Sequence, residues 1–225
     1  MGKYKMKLTI VYDNEVFKKE IGLKSDWGFS CLIETNDTNI LFDTGTKGNI
    51  LLDNMRKLNL DPKIIDKIVL SHEHGDHNGG LNSLLSYIGN VEIFKIGSNS
   101  INEKIKTVEG SQLVSEGIYT TGRLAGSPID EQSLVLKGKK GWYVLVGCSH
   151  PGVEKILHKA RQIGNIVGII GGFHGFNDLS ILNDLDLICP CHCTKYKKEI
   201  QMTFPNVCYD CGVGKIIDLN MENEI

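Results

Sequence analysis

Ile68-Val69-Leu70-Ser71-His72-Glu73-His74-Gly75-Asp76-His77-Asn78-Gly79-Gly80 places four metal-ligand side chains within six residues, directly behind an apolar run. Ile68 to Leu70 reads as a buried parallel strand, and Asn78-Gly79-Gly80 turns the chain into the apolar-periodic segment Leu81 to Tyr87. The cluster therefore belongs to a strand-to-helix loop, at the carboxyl end of a strand where α/β sheets place their sites. His72 and His74 are two residues apart, so in extended backbone both imidazoles face one side and can grip one ion. Asp76 and His77 can then turn toward a neighbouring position. Neutral imidazole suits zinc, iron, manganese or nickel, and a carboxylate beside it hardens the second position. The chain has only seven histidines, so this density is not that of an ordinary solvated loop.

His72-x-His74-x-Asp76-His77 resembles the HxHxDH signature of the metallo-β-lactamase superfamily. The resemblance implies an α/β fold of the αββα four-layer sandwich type, with one or two divalent metal ions bound at the sheet edges.

Length and composition agree with one globular domain over residues 1–225: 41% of the residues are hydrophobic and 23% charged. A formal net charge of -2 gives no electrostatic case for a nucleic-acid surface. No apolar run approaches membrane-spanning length, and Met1-Gly2-Lys3-Tyr4-Lys5-Met6 has no long apolar core behind its lysines. The expectation is a cytoplasmic protein whose partner is a small-molecule substrate, with neither nucleic acid nor membrane.

Seven cysteines, an odd count without a secretory signal, point to reduced thiols. Cys31 and Cys148 lie in apolar strand-like runs and read as small buried residues. Cys208-Tyr-Asp-Cys211 has the spacing of a zinc knuckle or redox pair, which Cys189 and Cys191 could complete as a four-sulfur site, but the second pair is spaced wrongly for a standard zinc ribbon.

Strands are expected at Lys7 to Tyr12, Phe29 to Glu34 and Asn39 to Asp43, followed by a helix at Asn49 to Leu58 that crosses back to the metal-motif strand. Beyond a strand at Val91 to Ile96, Lys104 to Gly110 is polar and reads as surface. Further strands follow at Gly117 to Gly122, Gln132 to Lys137 and Trp142 to Val146, then a helix from Val153 to Arg161. Trp142 to Val146 ends in Gly147-Cys148-Ser149-His150, Ile166 to Ile170 in Gly171-Gly172-Phe173-His174, and Leu185 to Ile188 in Cys189-Pro190-Cys191-His192-Cys193-Thr194. Four strand ends thus each deliver histidine to one place. Glu131, Lys137 and Lys139 read as solvated.

Leu41-Phe-Asp-Thr-Gly45, Tyr119-Thr-Thr-Gly122, Glu131-Gln-Ser-Leu134, Gly147-Cys-Ser-His-Pro-Gly152, Gly171-Gly-Phe-His174 and His192-Cys-Thr194 are together similar to the group containing the archaeal dihydropterin synthase of methanopterin biosynthesis. That synthase joins a dihydropterin methyl diphosphate to a ribofuranosyl aminobenzoate phosphate, and the group also contains members with no assigned substrate. The resemblance implies a metal-dependent hydrolase or synthase-like transferase, working through metal-activated water or a metal-held diphosphate on a phosphorylated or pterin-like small molecule. His72, His74 and His150 would hold a first metal, zinc before iron, manganese or nickel. Asp76, His77 and His192 would hold a second, with Asp76 also orienting the nucleophile and Asp43 orienting a ligand histidine from beneath. His174 stands where other branches carry a metal-bridging Asp. One imidazole lone pair cannot bridge as a carboxylate does, so His174 is expected to bind one metal terminally or act as acid or base.

Two departures from the group are visible. Trp27-Gly28-Phe29-Ser30 stands where members often have His-Gly-Leu-Ser, and the segment after the first motif is short, so a reduced pocket roof is expected. Two other classes stay open. A diiron redox branch of the superfamily has a Glu where this chain has His74, together with a flavodoxin domain that is not expected within these residues. A non-catalytic metal-binding protein is the other.

Overall fold

Apolar residues alternate along the strands, and alternation sends successive side chains to opposite faces of a sheet. The structure is a computed structural model and describes residues 5–97 and 103–221. Its first half comprises β1 (Met6–Tyr12), β2 (Ser30–Thr35), β3 (Asn39–Phe42), α1 (Gly48–Lys57), β4 (Lys67–Val69), α2 (Gly75–Asn78), α3 (Leu81–Ile88), β5 (Glu92–Lys95) and β6 (Ile105–Thr107). There follow β7 (Gln112–Ser115), β8 (Ile118–Thr120), β9 (Leu134–Lys137), β10 (Trp142–Val146), α4 (Val153–Ala160), β11 (Ile166–Gly172), β12 (Leu187–Cys191), α5 (Lys197–Thr203) and β13 (Ile216–Asp218).

Among the described residues one sheet has the order β13-β1-β2-β3-β4-β5-β6 and the other β12-β11-β10-β9-β8-β7. Cys31, Ile33, Ile40 and Phe42 of the first meet Leu134, Leu136, Tyr143 and Leu145 of the second in one buried cluster. Their neighbours point outward. Leu32 and Leu41 pack on Leu51, Met55 and Leu84 of α1 and α3, and Val144 and Val146 on Val153, Ile156, Leu157 and Ile200 of α4 and α5. In α4 the buried Val153, Ile156, Leu157 and Ala160 follow helical spacing, so burial of one stripe fixes the helix on the sheet. The result is the αββα sandwich expected from the sequence.

β3, β4 and β5 run parallel, as do β10, β11 and β12. The loops after β3, β4, β10, β11 and β12 therefore all leave from carboxyl ends, and they carry Asp43, the His72–His77 motif, His150, His174 and His192.

Some expectations need correction. Ile105 to Thr107, read as surface, pairs with β5 as the edge strand β6, and Val108 behind it is fully buried. The α5 helix and the β13 strand, which adds to β1, were not anticipated. Glu131, read as solvated, is fully buried. All seven cysteines are free thiols. Cys208 packs outside the second sheet and Cys211 between the sheets, so the two-residue spacing sends the pair to opposite faces. Among the described residues no helix is long and apolar enough to cross a membrane; Met1 to Tyr4, part of the segment read for a leader, lie outside them.

Candidate metal centre

The motif loop is pressed onto the turn after β3. Thr44 N–H donates to His77 O at 2.7 Å, and a Cβ on Gly80 would lie 2.3 Å from Thr44 O, which explains why glycine stands there. His74 caps the short α2, taking N–H groups from His77 and Asn78 on its carbonyl at 3.0 and 3.1 Å. His72 and His74 are thereby held before the helix and Asp76 and His77 within its first turn.

His72, His74 and His150 form one group, with a ligand atom from each within 4.8 Å of the others. Ser71 Oγ donates to Asp43 Oδ2 at 2.8 Å, so it accepts from His72 Nδ1–H, also at 2.8 Å. That network assigns the Nε2 lone pair of His72 to the site, 3.1 Å from His74 Nδ1. Both ring nitrogens of His150 are buried and have no hydrogen-bond partner. Burial and the neighbouring His77, His150 and His74 hold His72 well below the usual imidazole range. Burial and the adjacent His174 bring His150 down to about 4.

Asp76, His77, Cys148 and His192 form the second group. His77 Nδ1–H donates to Asp43 Oδ2 at 2.7 Å, leaving its Nε2 3.1 Å from Cys148 Sγ and 3.2 Å from His192 Nε2. Asn14 fixes His192 in the same manner. Its Oδ1 accepts Gly28 N–H at 3.0 Å and His192 Nδ1–H at 3.1 Å, while its Nδ2 donates to His192 O at 3.0 Å. Asp76 Oδ2 lies 3.3 Å from His192 Nε2 and 3.7 Å from His77 Nε2. Partial burial raises the Asp76 carboxyl, but the hydrogen bond to His192 and the charges of His77 and His192 outweigh it and hold the group below the usual carboxylate range. Burial brings His77 down to about 3 and pushes Asp43 up to about 8, the latter against hydrogen bonds from Ser71.

Sequence reasoning missed three residues here. Cys148 ends an apolar strand and reads as filler; only the fold turns its sulfur toward His77. Glu131 accepts four backbone N–H groups: Gly147, Cys148 and Ser149 on Oε1 at 3.0, 2.9 and 3.1 Å, and His150 on Oε2 at 2.9 Å. Its carboxylate thus shapes the loop that presents both Cys148 and His150. Asn14 carries no motif of its own, and no sequence signal marks it. His174 lies outside both groups: it is exposed, with its ring 5.0 Å from that of His150. Four non-glycine residues in these loops, Asp43, Ser149, His174 and His192, hold φ between 46° and 63°.

The donor sets fit divalent cations. With the Nδ1 atoms of His77 and His192 turned to Asp43 and Asn14, their Nε2 atoms face each other beside Asp76 and Cys148, and a divalent cation held there would take a lone pair from each. The three-imidazole set suits zinc or another borderline ion, and the thiol makes the second set softer.

Residues 28–152 match the family described as the metallo-beta-lactamase superfamily. The 7,8-dihydropterin-6-methyl-4-(beta-D-ribofuranosyl)-aminobenzene-5'-phosphate synthase of Methanocaldococcus jannaschii is 30% identical over 78% of this chain and 83% of its own length. An uncharacterised protein of the same organism is 29% identical over 94% of this chain and all of its own. The crystal structure of Tm1679, described as a metal-dependent hydrolase of the beta-lactamase superfamily, superposes with a TM-score of 0.77 at 24% identity, covering 96% of this chain and 100% of that one. Fold, motif and relatives agree: the chain belongs to the metallo-β-lactamase superfamily of metal-dependent enzymes.

Proposed function

We propose that this chain, acting as one domain over residues 1–225, is a dihydropterin synthase-like enzyme working on a phosphorylated small molecule with a pterin-like part. Its metal ligands would be His72, His74 and His150 in one set and Asp76, His77, Cys148 and His192 in the other, with zinc the leading ion. The observation that carries the reading is the facing of His77 Nε2 and His192 Nε2 at 3.2 Å, with each ring turned by the partner of its Nδ1, Asp43 for His77 and Asn14 for His192. When bound, divalent ions supply Lewis acidity at a phosphoryl oxygen and make hydroxide available near neutral pH.

The chain's own residues supply orientation and proton handling. Asp43 and Asn14 fix the ring tautomers from beneath, which raises the basicity of the nitrogens presented to the site. Asp76, kept ionised, orients the attacking group. His174, exposed beside His150, is placed to move a proton on the substrate side. A cytoplasmic location with no nucleic-acid or membrane partner completes the proposal.

Transfer is favoured over hydrolysis by the 30% identical relative named as a synthase. The diiron reading is disfavoured by His74, an imidazole grouped with His72 and His150 where that branch has a Glu. The test is metal analysis of protein purified without oxygen, followed by assay of diphosphate release from a dihydropterin methyl diphosphate. Release only with an aromatic amine acceptor supports the synthase, and acceptor-independent release supports a hydrolase. Protein without bound metal, or without turnover on pterin diphosphates, phosphodiesters and lactones alike, would count against an enzyme of this kind.

A further inference from the structure

The chain has two tryptophans, and they are placed in opposite ways. Trp142 packs against Tyr119, ring centroids 5.8 Å apart. Trp27 is 58% exposed, with its ring 5.2 Å from that of His192 and tilted 54° to it. A large apolar side chain held open beside a donor set is not explained by packing.

The ring is presented by a clamped turn. Trp27 N–H donates to Asp26 Oδ1 at 3.0 Å, Thr46 donates its hydroxyl to Trp27 O, and Phe29 N–H donates to Asp76 O at 3.1 Å. Gly28 between them holds φ 143°, and a Cβ there would lie 2.6 Å from Asp76 O, so the turn is pressed against the metal motif as only glycine allows. Asn14 bonds both Gly28 N–H and the His192 ring, so one side chain fixes the indole's turn and the donor histidine together. Asp26 is drawn away by Lys47 at 2.8 Å and the Tyr12 hydroxyl at 3.1 Å.

Resting on the reading of these donors as an enzyme's metal centre, we infer that Trp27 is a stacking platform for a planar heteroaromatic ring on the substrate, whose phosphorylated arm reaches past His192. A quaternary ammonium is the competing ligand for an indole face, and it is bound by cages of several aromatic faces. Phe29, whose ring lies 6.4 Å from that of His192, is fully buried and closes no cage. One open face suits offset stacking by a flat ring, and a turn fixed beforehand lowers the ordering cost of binding it. The ring's nearness to His192 limits the arm to a short one.

The experiment uses the full chain with Trp142→Phe, which leaves Trp27 as sole tryptophan, and follows its fluorescence as pterin is added, with inner-filter correction and ribose 5-phosphate as a ring-free anion. Saturable quenching by pterin and none by ribose 5-phosphate is expected, in chelator-treated as well as metal-loaded protein. By calorimetry, Trp27→Phe should keep most of the pterin affinity and Trp27→Leu should lose about tenfold or more. Equal affinity in Trp27→Leu, or equal quenching by ribose 5-phosphate, would overturn the inference while leaving the metal reading intact. Quenching in a protein that takes up no divalent ion would instead sink the metal reading and spare the platform.

Discussion

Asp43 and His77 share a 2.7 Å hydrogen bond with both side chains fully buried, and burial shifts the two in opposite senses. His77 moves from 6.5 to about 3, so its contribution to stability is present above pH 6.5 and lost as pH falls toward 3. Asp43 moves from 3.8 to about 8, so its contribution is present below pH 3.8 and lost as pH rises toward 8. In metal-free protein the two slopes offset each other only where the windows overlap, from pH 3.8 to 6.5, and Asp43→Asn removes the second. The stability advantage of wild type over Asp43→Asn should be greatest near pH 4 and shrink toward pH 8, by at most about 1.4 kcal/mol per pH unit. Urea unfolding of both chelator-treated proteins across this range measures it; an advantage that grows with pH would be the wrong sign.

Glu131→Gln puts an amide NH2 where one carboxylate oxygen now accepts backbone N–H groups. At least one buried donor loses its acceptor, so stability should fall by about 1–3 kcal/mol. The loop bearing Cys148 and His150 loosens with it, and metal content should drop along with unfolding midpoint. Full metal occupancy in a destabilised variant would show that the loop does not depend on Glu131.

Cys148→Ser tests the thiol. Thiolate ligation by cobalt(II) gives a charge-transfer absorption band, expected in wild type and absent from the variant. Calorimetry at pH 7 in buffers of different ionisation enthalpy should count about one proton fewer released on metal binding, because a thiol surrenders its proton on ligation. Identical cobalt spectra would place Cys148 outside the ligand set.

His174→Ala should keep the full metal content and lose activity, whereas His72→Ala should lose metal and activity together. Metal analysis beside the diphosphate-release assay separates them. Metal loss on removing His174 would return it to the ligand set.

The sequence made the metal motif legible because His72, His74, Asp76 and His77 are local, and their spacing alone fixes which side they face. His150 and His192 were legible because each follows an apolar strand into a short loop. Cys148 was not: a cysteine behind Val144-Leu145-Val146 looks like core, and its second role depends on His77, 71 residues away. Glu131 looked solvated because its acceptor capacity is satisfied by main-chain donors, which carry no sequence signature. The edge strand at Ile105 to Thr107 is three residues long, and its strand character comes from pairing with β5 rather than from its own pattern.

The left-handed backbone at Asp43, Ser149, His174 and His192 has a consequence for engineering. Such a conformation costs an ordinary L-residue on the order of 1 kcal/mol or more, and glycine much less. Asp43, Ser149 and His192 are buried and offset that cost with side-chain hydrogen bonds, but His174 is exposed, so a thermostability screen run without metal or substrate would reward glycine at His174. Its winners would melt later and catalyse nothing, so directed evolution of this chain has to select for turnover from the first round.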